Sequence, residues 1–132
     1  MSSIIEDCIF CNKTNCKVIN STKHFFIIRD TSYPVKRHHT LIITNRHVED
    51  FFDLTRDEMS ELDEVLKKQK KELKRLDEKI SAFNIGVNVG KDAGQSIMHC
   101  HVHLIPRRKG DVEDPRGGVR GVIPEKQKYK KK

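Results

Sequence analysis

The sequence predicts an α+β fold, in which a mainly antiparallel sheet of about five strands packs against one long helix and a short helix. Three observations support this prediction. Four apolar segments of strand length lie at residues 25–28, 40–44, 83–89 and 95–105. An amphipathic pattern of helical period separates the second segment from the third. A short Gly-containing loop joins the last two segments, and such a connection favours antiparallel neighbours.

The first third of the chain predicts strands separated by turns. Residues 8–11, Cys-Ile-Phe-Cys, predict a turn-like knuckle or a short helix. The strand at residues 25–28 leads into a turn through residues 30–34, which include Asp, Ser and Pro. The apolar run at residues 40–44 predicts a buried strand, and residues 48–54 predict a short helical turn.

The long helix begins at a capping box, in which Thr55 is followed three residues later by Glu58. Residues suited to a buried helix face then recur every three or four positions: Met59, Leu62, Val65, Leu66, Gln69, Leu73, Leu76 and Ile80. This spacing predicts an amphipathic helix of about seven turns, whose remaining Lys- and Glu-rich face lies in water.

The second half of the chain predicts a hairpin and an irregular arm. A strand at residues 83–89 and a loop at residues 90–94 lead to the histidine-containing strand at residues 95–105. Pro106 is expected to end regular pairing on that strand. The polar sequence from Arg107 onward, with several Gly and Pro residues, predicts an irregular C-terminal arm.

Length and charge predict one domain, residues 1–125, followed by a flexible basic tail, residues 126–132. The 132 residues carry a formal net charge of +7, and five lysines lie in the tail. We interpret the tail as a solvated end rather than as an arm that binds nucleic acid. The sequence has neither a secretory signal nor an apolar run of about 20 residues, which predicts a cytoplasmic protein with reduced cysteines and no membrane contact.

Three histidines at alternating positions, His99, His101 and His103, are the most informative feature of the chain. On a strand their imidazoles share one face, whereas Cys100 points into the core. The outer two backbones are roughly 13 Å apart, so three such rings would strain to bind a single metal ion, and we expect them to divide their roles. The preceding loop, residues 90–96, offers glycines, backbone N–H groups and a hydroxyl to a phosphate, although a plain hairpin loop is the alternative.

These residues resemble the histidine triad superfamily of nucleotide hydrolases and transferases. Residues 99–105 match its His-φ-His-φ-His-φ-φ pattern, where φ is apolar, and residues 88–103 match the longer run that precedes it. The resemblance covers roughly residues 8–108. Pro106, Arg107 and Arg108 look more like the branch of dinucleoside polyphosphate hydrolases and fragile histidine triad proteins.

The resemblance implies a catalytic site. The middle histidine, His101, would attack the α-phosphorus of a nucleotide and form a nucleotidyl-histidine, which water then hydrolyses to a nucleoside monophosphate. His103 would bind phosphoryl oxygens and share proton transfer. The resemblance assigns the remaining contacts as follows: Gln95 and Ser96 to the phosphates or leaving group, Asn88 and Gly94 in support, Asp30 to the ribose hydroxyls, and Phe10 and Ile28 to a purine.

The resemblance also implies a structural zinc site and a homodimer. The Cys8-x-x-Cys11 spacing is half of a tetrahedral site, which His47 and His99 would complete. Buried free thiols are the alternative, and Cys16 is a rival ligand. The chain departs from the family pattern where His38 replaces the usual glycine and Thr44 the usual proline.

The predicted function is therefore hydrolysis of a purine nucleotide at its α-phosphate, with dinucleoside polyphosphates as the favoured substrates. Three alternatives stay open at this point: a nucleotide-binding module with negligible turnover, an enzyme that processes adenylated nucleic-acid ends, and a zinc-stabilised structural protein.

Overall fold

The computed structural model describes residues 8–30 and 34–129. The strands are β1 (Val18–Ser21), β2 (Phe25–Arg29), β3 (Thr40–Thr44), β4 (Ile80–Gly86) and β5 (His101–Arg108), and the α-helix is α1 (Arg56–Leu76). Short 3₁₀ turns lie at Lys13–Asn15, Phe51–Asp53, Lys91–Ala93, Gly118–Val122 and Pro124–Lys126. The predictions for residues 1–7, for the middle of the turn at residues 31–33 and for residues 130–132 lie outside the described residues.

All five strands form one antiparallel sheet in the order β1-β2-β3-β5-β4. The predicted α+β fold, with a five-stranded antiparallel sheet and one long helix, is confirmed. The strand that the sequence did not reveal is β1, a four-residue edge strand whose side chains alternate between half-buried and exposed. The predicted short helical turn is the 3₁₀ turn at Phe51–Asp53, where the Asp50 side chain accepts a hydrogen bond from the N–H of Phe52.

One face of the sheet packs against α1. Alternating residues of the three central strands meet Leu62 and Val65 of the helix, and the strand residues of this core are Phe25, Ile27, Ile42 and Val102. The middle of the helix therefore buries its apolar side on the sheet, as predicted, whereas Met59 in its first turn and Leu76 at its end are exposed. Within the described part of the chain, no helix is both long and apolar enough to cross a bilayer.

The two ends of the chain cover different parts of the opposite face. The N-terminal segment, residues 8–16, places Phe10 against Phe26, Leu41 and Ile43 on β2 and β3. The C-terminal arm, residues 112–128, lies over β4. Between the two coverings is the central strip of β5, which carries His101 and His103.

The helix prediction was too long at its C-terminal end. The capping box of Thr55 and Glu58 forms as predicted, but α1 ends at Leu76. Asp77 stops it, because its carboxylate accepts hydrogen bonds from the N–H of Lys79 and from Arg108. Ile80 is buried as the first residue of β4, opposite Arg108 of β5, rather than on the helix.

Two strand predictions were displaced along the chain. The third predicted strand lies at Ile80–Gly86 rather than at residues 83–89, and the histidine strand begins at His101 and continues through Pro106 to Arg108. The expectation that Pro106 ends pairing was wrong, since Pro106 lies opposite Phe83 of β4. The pairing of β5 with β3 stops at Leu104, so Pro106 lies where β5 has a single strand neighbour, a place where proline is tolerated.

Candidate active site and metal cluster

The structure separates the three histidines of the motif into two sites. His101 and His103 lie on β5 opposite Ile43 and Leu41 of β3, and they project from the face that α1 does not cover. His99 precedes the strand, is completely buried, and belongs to a cluster with two cysteines and a fourth ligand. The histidines therefore do not surround one point, which agrees with the divided roles that the spacing favours.

A hydrogen bond fixes the tautomer of His101. Its Nδ1 lies 2.7 Å from the carbonyl oxygen of His99, and because a carbonyl only accepts, Nδ1 carries the proton. The unprotonated Nε2 then holds the lone pair that a nucleophile needs. Burial lowers the pKa of His101, although the bond to the His99 carbonyl opposes this effect, so the ring is neutral at pH 7. The edge-on ring of Phe10, with its centroid 5.1 Å away, packs against the imidazole.

His103 is oriented through a second buried histidine, His39. The backbone N–H of Val35 donates to Nδ1 of His39 at 3.1 Å, which places the proton of His39 on Nε2. That Nε2 lies 2.9 Å from Nδ1 of His103 and donates to it, so the proton of His103 is on Nε2. Burial, with smaller contributions from His101 and His39, lowers the pKa of His103 to about 4. His103 is thus a neutral hydrogen-bond donor beside the unprotonated Nε2 of His101.

The histidine motif alone does not reveal a role for His39. It lies two residues before Leu41, which pairs with His103, so it shares the face of the sheet that carries His101 and His103. Pairing residues 39–43 as a strand beside the strand of alternating histidines would have placed His39 on the same face as those histidines. Asp30, the predicted ribose ligand, is at the same end of the site, with Oδ2 3.8 Å from Nδ1 of His39.

The loop before β5 is closed by Gln95. Its buried side-chain oxygen accepts a hydrogen bond from the N–H of Gly90, and its nitrogen donates to the carbonyl oxygens of Glu49 and Ile97. Gly94 adopts a left-handed φ of 97°, which a side chain would strain. Ser96 is exposed at the end of this loop. Gln95 therefore positions the loop, and its contact with a phosphate stays a prediction.

The remaining predicted nucleotide contacts lie on both sides of the central strip. Phe10 is 4% exposed, and Ile28 packs with it in the cluster under the N-terminal segment. Asn88 lies beyond β4 and, with His39 and His103, lines a cavity beside the arm. The contacts of these residues with a nucleotide stay predictions.

Cys8, Cys11, His47 and His99 converge into one cluster that can hold a metal ion. Their ligand atoms all lie within 4.8 Å of one another. Nδ1 of His99 is 3.2 Å from Sγ of Cys8 and 3.5 Å from Sγ of Cys11, and Nδ1 of His47 is 3.2 Å from both Sγ of Cys11 and Nδ1 of His99. Zinc bonds of about 2.3 Å to sulfur and about 2.0–2.1 Å to nitrogen give tetrahedral edges of roughly 3.3–3.8 Å. The four separations of 3.2–3.5 Å are close to those edges.

A backbone carbonyl orients His99 as a metal ligand requires. Nε2 of His99 donates to the carbonyl oxygen of Thr44 at 2.8 Å, which leaves Nδ1 with its lone pair toward the cysteines. Burial lowers the pKa of His99 to about 4, so the ring is neutral and ready to bind a cation. Nε2 of His47 lies 3.9 Å from the carboxylate of Glu49, which is too far for a hydrogen bond.

The two other cysteines lie outside the cluster. Cys16, the rival ligand, points its Sγ toward the carbonyl oxygens of Ile9 and Asn12, and burial raises its pKa. Cys100 is buried as predicted, and burial raises its pKa to about 11. The prediction that Cys100 belongs to the core is therefore confirmed.

Comparison with known proteins places this site in a family. The model of the HIT domain matches residues 12–110. An uncharacterized HIT-like protein of Methanocaldococcus jannaschii is 36% identical over 110 residues, which are 80% of this chain and 83% of that protein. The asymmetrical bis(5'-nucleosyl)-tetraphosphatase of Schizosaccharomyces pombe is 38% identical over 81 residues, which are 61% of this chain and 44% of that protein.

A solved structure extends the likeness to the fold. A Zn-bound histidine triad family protein from Mycobacterium smegmatis superposes with a TM-score of 0.71 at 29% identity, over 82% of this chain and 80% of that one. Fold, motif and relatives agree, and the chain belongs to the histidine triad (HIT) family.

Proposed function

We propose that this protein hydrolyses nucleotides at the α-phosphate through a nucleotidyl-His101 intermediate, with dinucleoside polyphosphates as favoured substrates. The observation that carries the proposal is the fixed tautomer of His101. Its Nδ1–H is held by the His99 carbonyl at 2.7 Å, so the lone pair of Nε2 is available to attack phosphorus. The S. pombe relative, named a tetraphosphatase, supports this choice of substrate class.

The first step forms a bond between Nε2 of His101 and the α-phosphorus and breaks the bond from that phosphorus to the bridging oxygen. The ring becomes positively charged, and the His99 carbonyl, which accepts from Nδ1–H, stabilises that charge. The leaving phosphate takes the bonding electron pair, and the Nε2–H of His103 donates a hydrogen bond to it. In the second step water attacks phosphorus, the electron pair of the P–N bond returns to Nε2, and the proton of the water passes to solvent.

The other site residues have supporting roles in this proposal. Phe10 and Ile28 hold a purine, Asp30 accepts the ribose hydroxyls, and the loop that Gln95 closes presents Ser96 to the phosphates. Asn88 and Gly94 support that loop region. His39 is a positioning residue, because it acts through His103.

We also propose that the cluster of Cys8, Cys11, His47 and His99 holds zinc. A zinc ion there would cross-link the N-terminal segment to the ends of β3 and β5 and would supply no catalytic chemistry. The convergence of four ligand atoms in the chain and the zinc-bound M. smegmatis neighbour support this assignment. By the family resemblance we further propose a cytoplasmic homodimer that does not act on nucleic acid.

Replacement of His101 by Asn tests the mechanism. We expect release of AMP from diadenosine tetraphosphate and from adenosine phosphoramidate to fall by about 10³-fold or more, since the nucleophile is gone. His24→Asn is the control, because His24 pairs with Glu61 outside the central strip. Rapid quench of the wild type should trap a phosphorus–histidine adduct.

Three outcomes would contradict the proposal. Full activity of the Asn variant would remove His101 from the mechanism. Tight AMP binding by the wild type without multiple turnovers would favour a binding module. Preferred hydrolysis of adenylated DNA ends, with activity that falls steeply as salt rises, would favour a nucleic-acid substrate.

A further inference from the structure

The metal cluster and the nucleophile are joined by one residue, His99. Its imidazole lies in the cluster with Cys8 and Cys11, and its carbonyl oxygen holds the Nδ1–H of His101 at 2.7 Å. We propose that Cys8 and Cys11 are a site of oxidation by peroxide, where a disulfide between them releases the metal and frees His101 from its fixed tautomer. The inference rests on the proposed zinc site and on the proposed role of His101, and it adds control of the hydrolysis by oxidants.

The two cysteines are placed to form a disulfide with each other. They belong to a single turn, which the N–H of Cys11 closes by donating to the carbonyl oxygen of Cys8 at 3.1 Å. Their Sγ atoms lie within 4.8 Å of each other. Because a disulfide bond is about 2.05 Å long, a shift of at most about 3 Å within this turn brings the two sulfurs together. The sheet does not have to rearrange.

An oxidant in solution can reach this pair of sulfurs. Cys8 and Cys11 are both half-buried, and Ile9 between them is 56% exposed, so the turn lies at the surface. His99, in contrast, is completely buried. Cysteines bind a metal as thiolates, and the thiolate is also the form that attacks a peroxide. The metal-bound state therefore presents the reactive form of the pair to solvent.

The oxidation needs hydrogen peroxide and no other co-reactant. One thiolate attacks a peroxide oxygen and breaks the O–O bond, which gives a sulfenic acid and a hydroxide ion. The second thiolate attacks that sulfur, the S–S bond forms, and a second hydroxide ion leaves. Two electrons thus pass from the two sulfurs to the peroxide. The disulfide has lost both negative charges, so only the imidazoles of His47 and His99 remain of the four ligands, and they bind zinc too weakly to retain it.

Loss of the cluster acts on the nucleophile from two directions. The ring of His99, whose Nδ1 is 3.2 Å from Sγ of Cys8, loses a restraint, and its carbonyl oxygen is the acceptor for His101. Phe10 lies between the two cysteines in sequence, and its ring packs against His101 with the centroids 5.1 Å apart. Without these contacts His101 also adopts the tautomer with its proton on Nε2, which has no lone pair there to attack phosphorus.

The other two cysteines of the chain are poorly placed for this reaction. Cys100 is buried in the core, with only 1% of its surface exposed. Sγ of Cys16 points toward the carbonyl oxygens of Ile9 and Asn12, at 3.5 and 3.8 Å. Cys16→Ser is therefore the matched control, because it removes a thiol of the same N-terminal segment and leaves the reacting pair unchanged.

The first test measures zinc and thiols while the zinc-loaded chain is oxidised. Stepwise addition of hydrogen peroxide should release about one zinc per chain, detected with a colorimetric chelator, as about two thiols per chain disappear. Peptide mass mapping should then find a disulfide between Cys8 and Cys11. A dithiol reductant with added Zn²⁺ should restore both the thiols and the bound zinc. Cys16→Ser should release zinc at the same peroxide concentration as the wild type.

The second test follows His101 itself. The ¹⁵N spectrum of its ring should show one Nδ1–H tautomer in the reduced, zinc-loaded chain and a mixture after oxidation. The value of kcat for AMP release from diadenosine tetraphosphate should fall by about 10- to 100-fold, the usual effect of losing an orienting partner. Reduced protein that a chelator has stripped of zinc should show the same spectrum and the same kcat, because loss of the metal is the cause.

Three results would overturn the inference. They are zinc that stays bound when peroxide has consumed thiols, a disulfide that includes Cys16 or Cys100, and an unchanged His101 tautomer and kcat after zinc is released. All three leave hydrolysis through His101 intact. A chain that never binds zinc would remove the proposed zinc site together with this inference, whereas inactivity of the reduced, zinc-loaded chain would remove the proposed function.

Discussion

At the scale of single residues, backbone groups decide which imidazole nitrogen of His101 and of His103 carries the proton. The His99 carbonyl directs the proton of His101 to Nδ1, and the N–H of Val35, acting through His39, directs that of His103 to Nε2. The two rings are thus opposite tautomers on one strand. One presents a lone pair and the other presents a donor, so the pair can attack phosphorus and stabilise the leaving oxygen without a change of protonation beforehand.

Replacement of His39 by Ala should separate positioning from chemistry. Without the Nε2–H of His39, nothing fixes Nδ1 of His103 as an acceptor, and the ring should populate both tautomers. We expect kcat to fall by about 10- to 100-fold, the usual effect of losing an orienting partner. The ¹⁵N spectrum of the His103 ring, which is one Nε2–H tautomer in the wild type, should become a mixture.

The neighbouring histidine provides the matched control. His38 has a φ of 70°, a left-handed conformation that glycine adopts more readily than a side chain does. His38→Gly should therefore keep the ¹⁵N signature of His103 and should not lower the melting temperature. If His39→Ala keeps both kcat and a single His103 tautomer, the hydrogen bond from His39 to His103 does not position the His103 ring.

The family pattern usually has glycine and proline at positions 38 and 44, and the structure gives the two departures different meanings. His38 occupies a backbone conformation suited to glycine, so it carries a local cost. Thr44 uses the N–H that proline lacks, since it donates to the carbonyl oxygen of Cys100 at 3.3 Å. Its own carbonyl oxygen accepts from His99, so this residue connects β3 to the metal cluster.

At the scale of elements, the sequence predicts what is periodic and misses what tertiary contacts decide. The start of α1 was predictable, because a capping box is local. Its end was not, because Asp77 stops the helix through Arg108, 31 residues away. The extension of β5 past Pro106 likewise depends on where β3 stops pairing. In the candidate site, the motif was enough to predict His101 and His103. The place of His39 could be predicted only from the register between β3 and β5.

The first turn of α1 is held to the loop after β3 by Glu58. Its side chain is 3% exposed and accepts hydrogen bonds from Arg46 at 2.8 and 3.2 Å and from the N–H of Thr55 at 2.8 Å. Burial raises the pKa of Glu58, but the hydrogen bonds from Arg46 and Thr55 outweigh that effect and hold the pKa below its ordinary value. The ionised carboxylate therefore stabilises the folded state.

The ion pair of Glu58 with Arg46 should make a pH-dependent contribution to the free energy of unfolding. Because the folded pKa is depressed, the stabilisation is complete above the unfolded pKa of about 4.3 and is lost as pH falls through the folded value. Glu58→Gln should lower the free energy of unfolding by about 1–2 kcal/mol at pH 7, with a difference from the wild type that narrows below about pH 4. Urea unfolding at several pH values measures both quantities.

Asp63 on the same helix is the control, because its pair with Lys67 is exposed on both sides. Asp63→Asn should change the free energy of unfolding by less than about 0.5 kcal/mol at any of these pH values. A difference between Glu58→Gln and the wild type that stays constant down to pH 3 would contradict the assignment to the ionised carboxylate.

At the scale of the whole molecule, the two ends of the chain complete the site from opposite sides. Phe10 in the N-terminal segment packs against His101, and the C-terminal arm borders the cavity beside His103. Of the described residues in the N-terminal segment, only Lys13–Asn15 form regular structure, a single 3₁₀ turn. Side chains therefore hold this segment: Phe10 packs on the sheet, Lys13 donates to Asn45, and Cys8 and Cys11 join the cluster with His47 and His99.

Removal of the metal should consequently loosen one side of the active site. Protein purified without chelator should contain about one zinc per chain, and Cys8→Ser should abolish it, since three ligands remain. We expect the melting temperature to fall by about 6–18 °C, which corresponds to about 2–3 kcal/mol at about 3–6 °C per kcal/mol for a chain of this size. AMP binding should weaken in the same variant, because Phe10 is two residues from the lost ligand.

Cys16→Ser removes a thiol of the same segment that lies outside the cluster, and it should keep both the zinc and the melting temperature. Metal analysis that finds no zinc in the wild type, together with an unchanged melting temperature in Cys8→Ser, would mean that Phe10, its apolar neighbours and the hydrogen bond from Lys13 to Asn45 hold the segment without a metal.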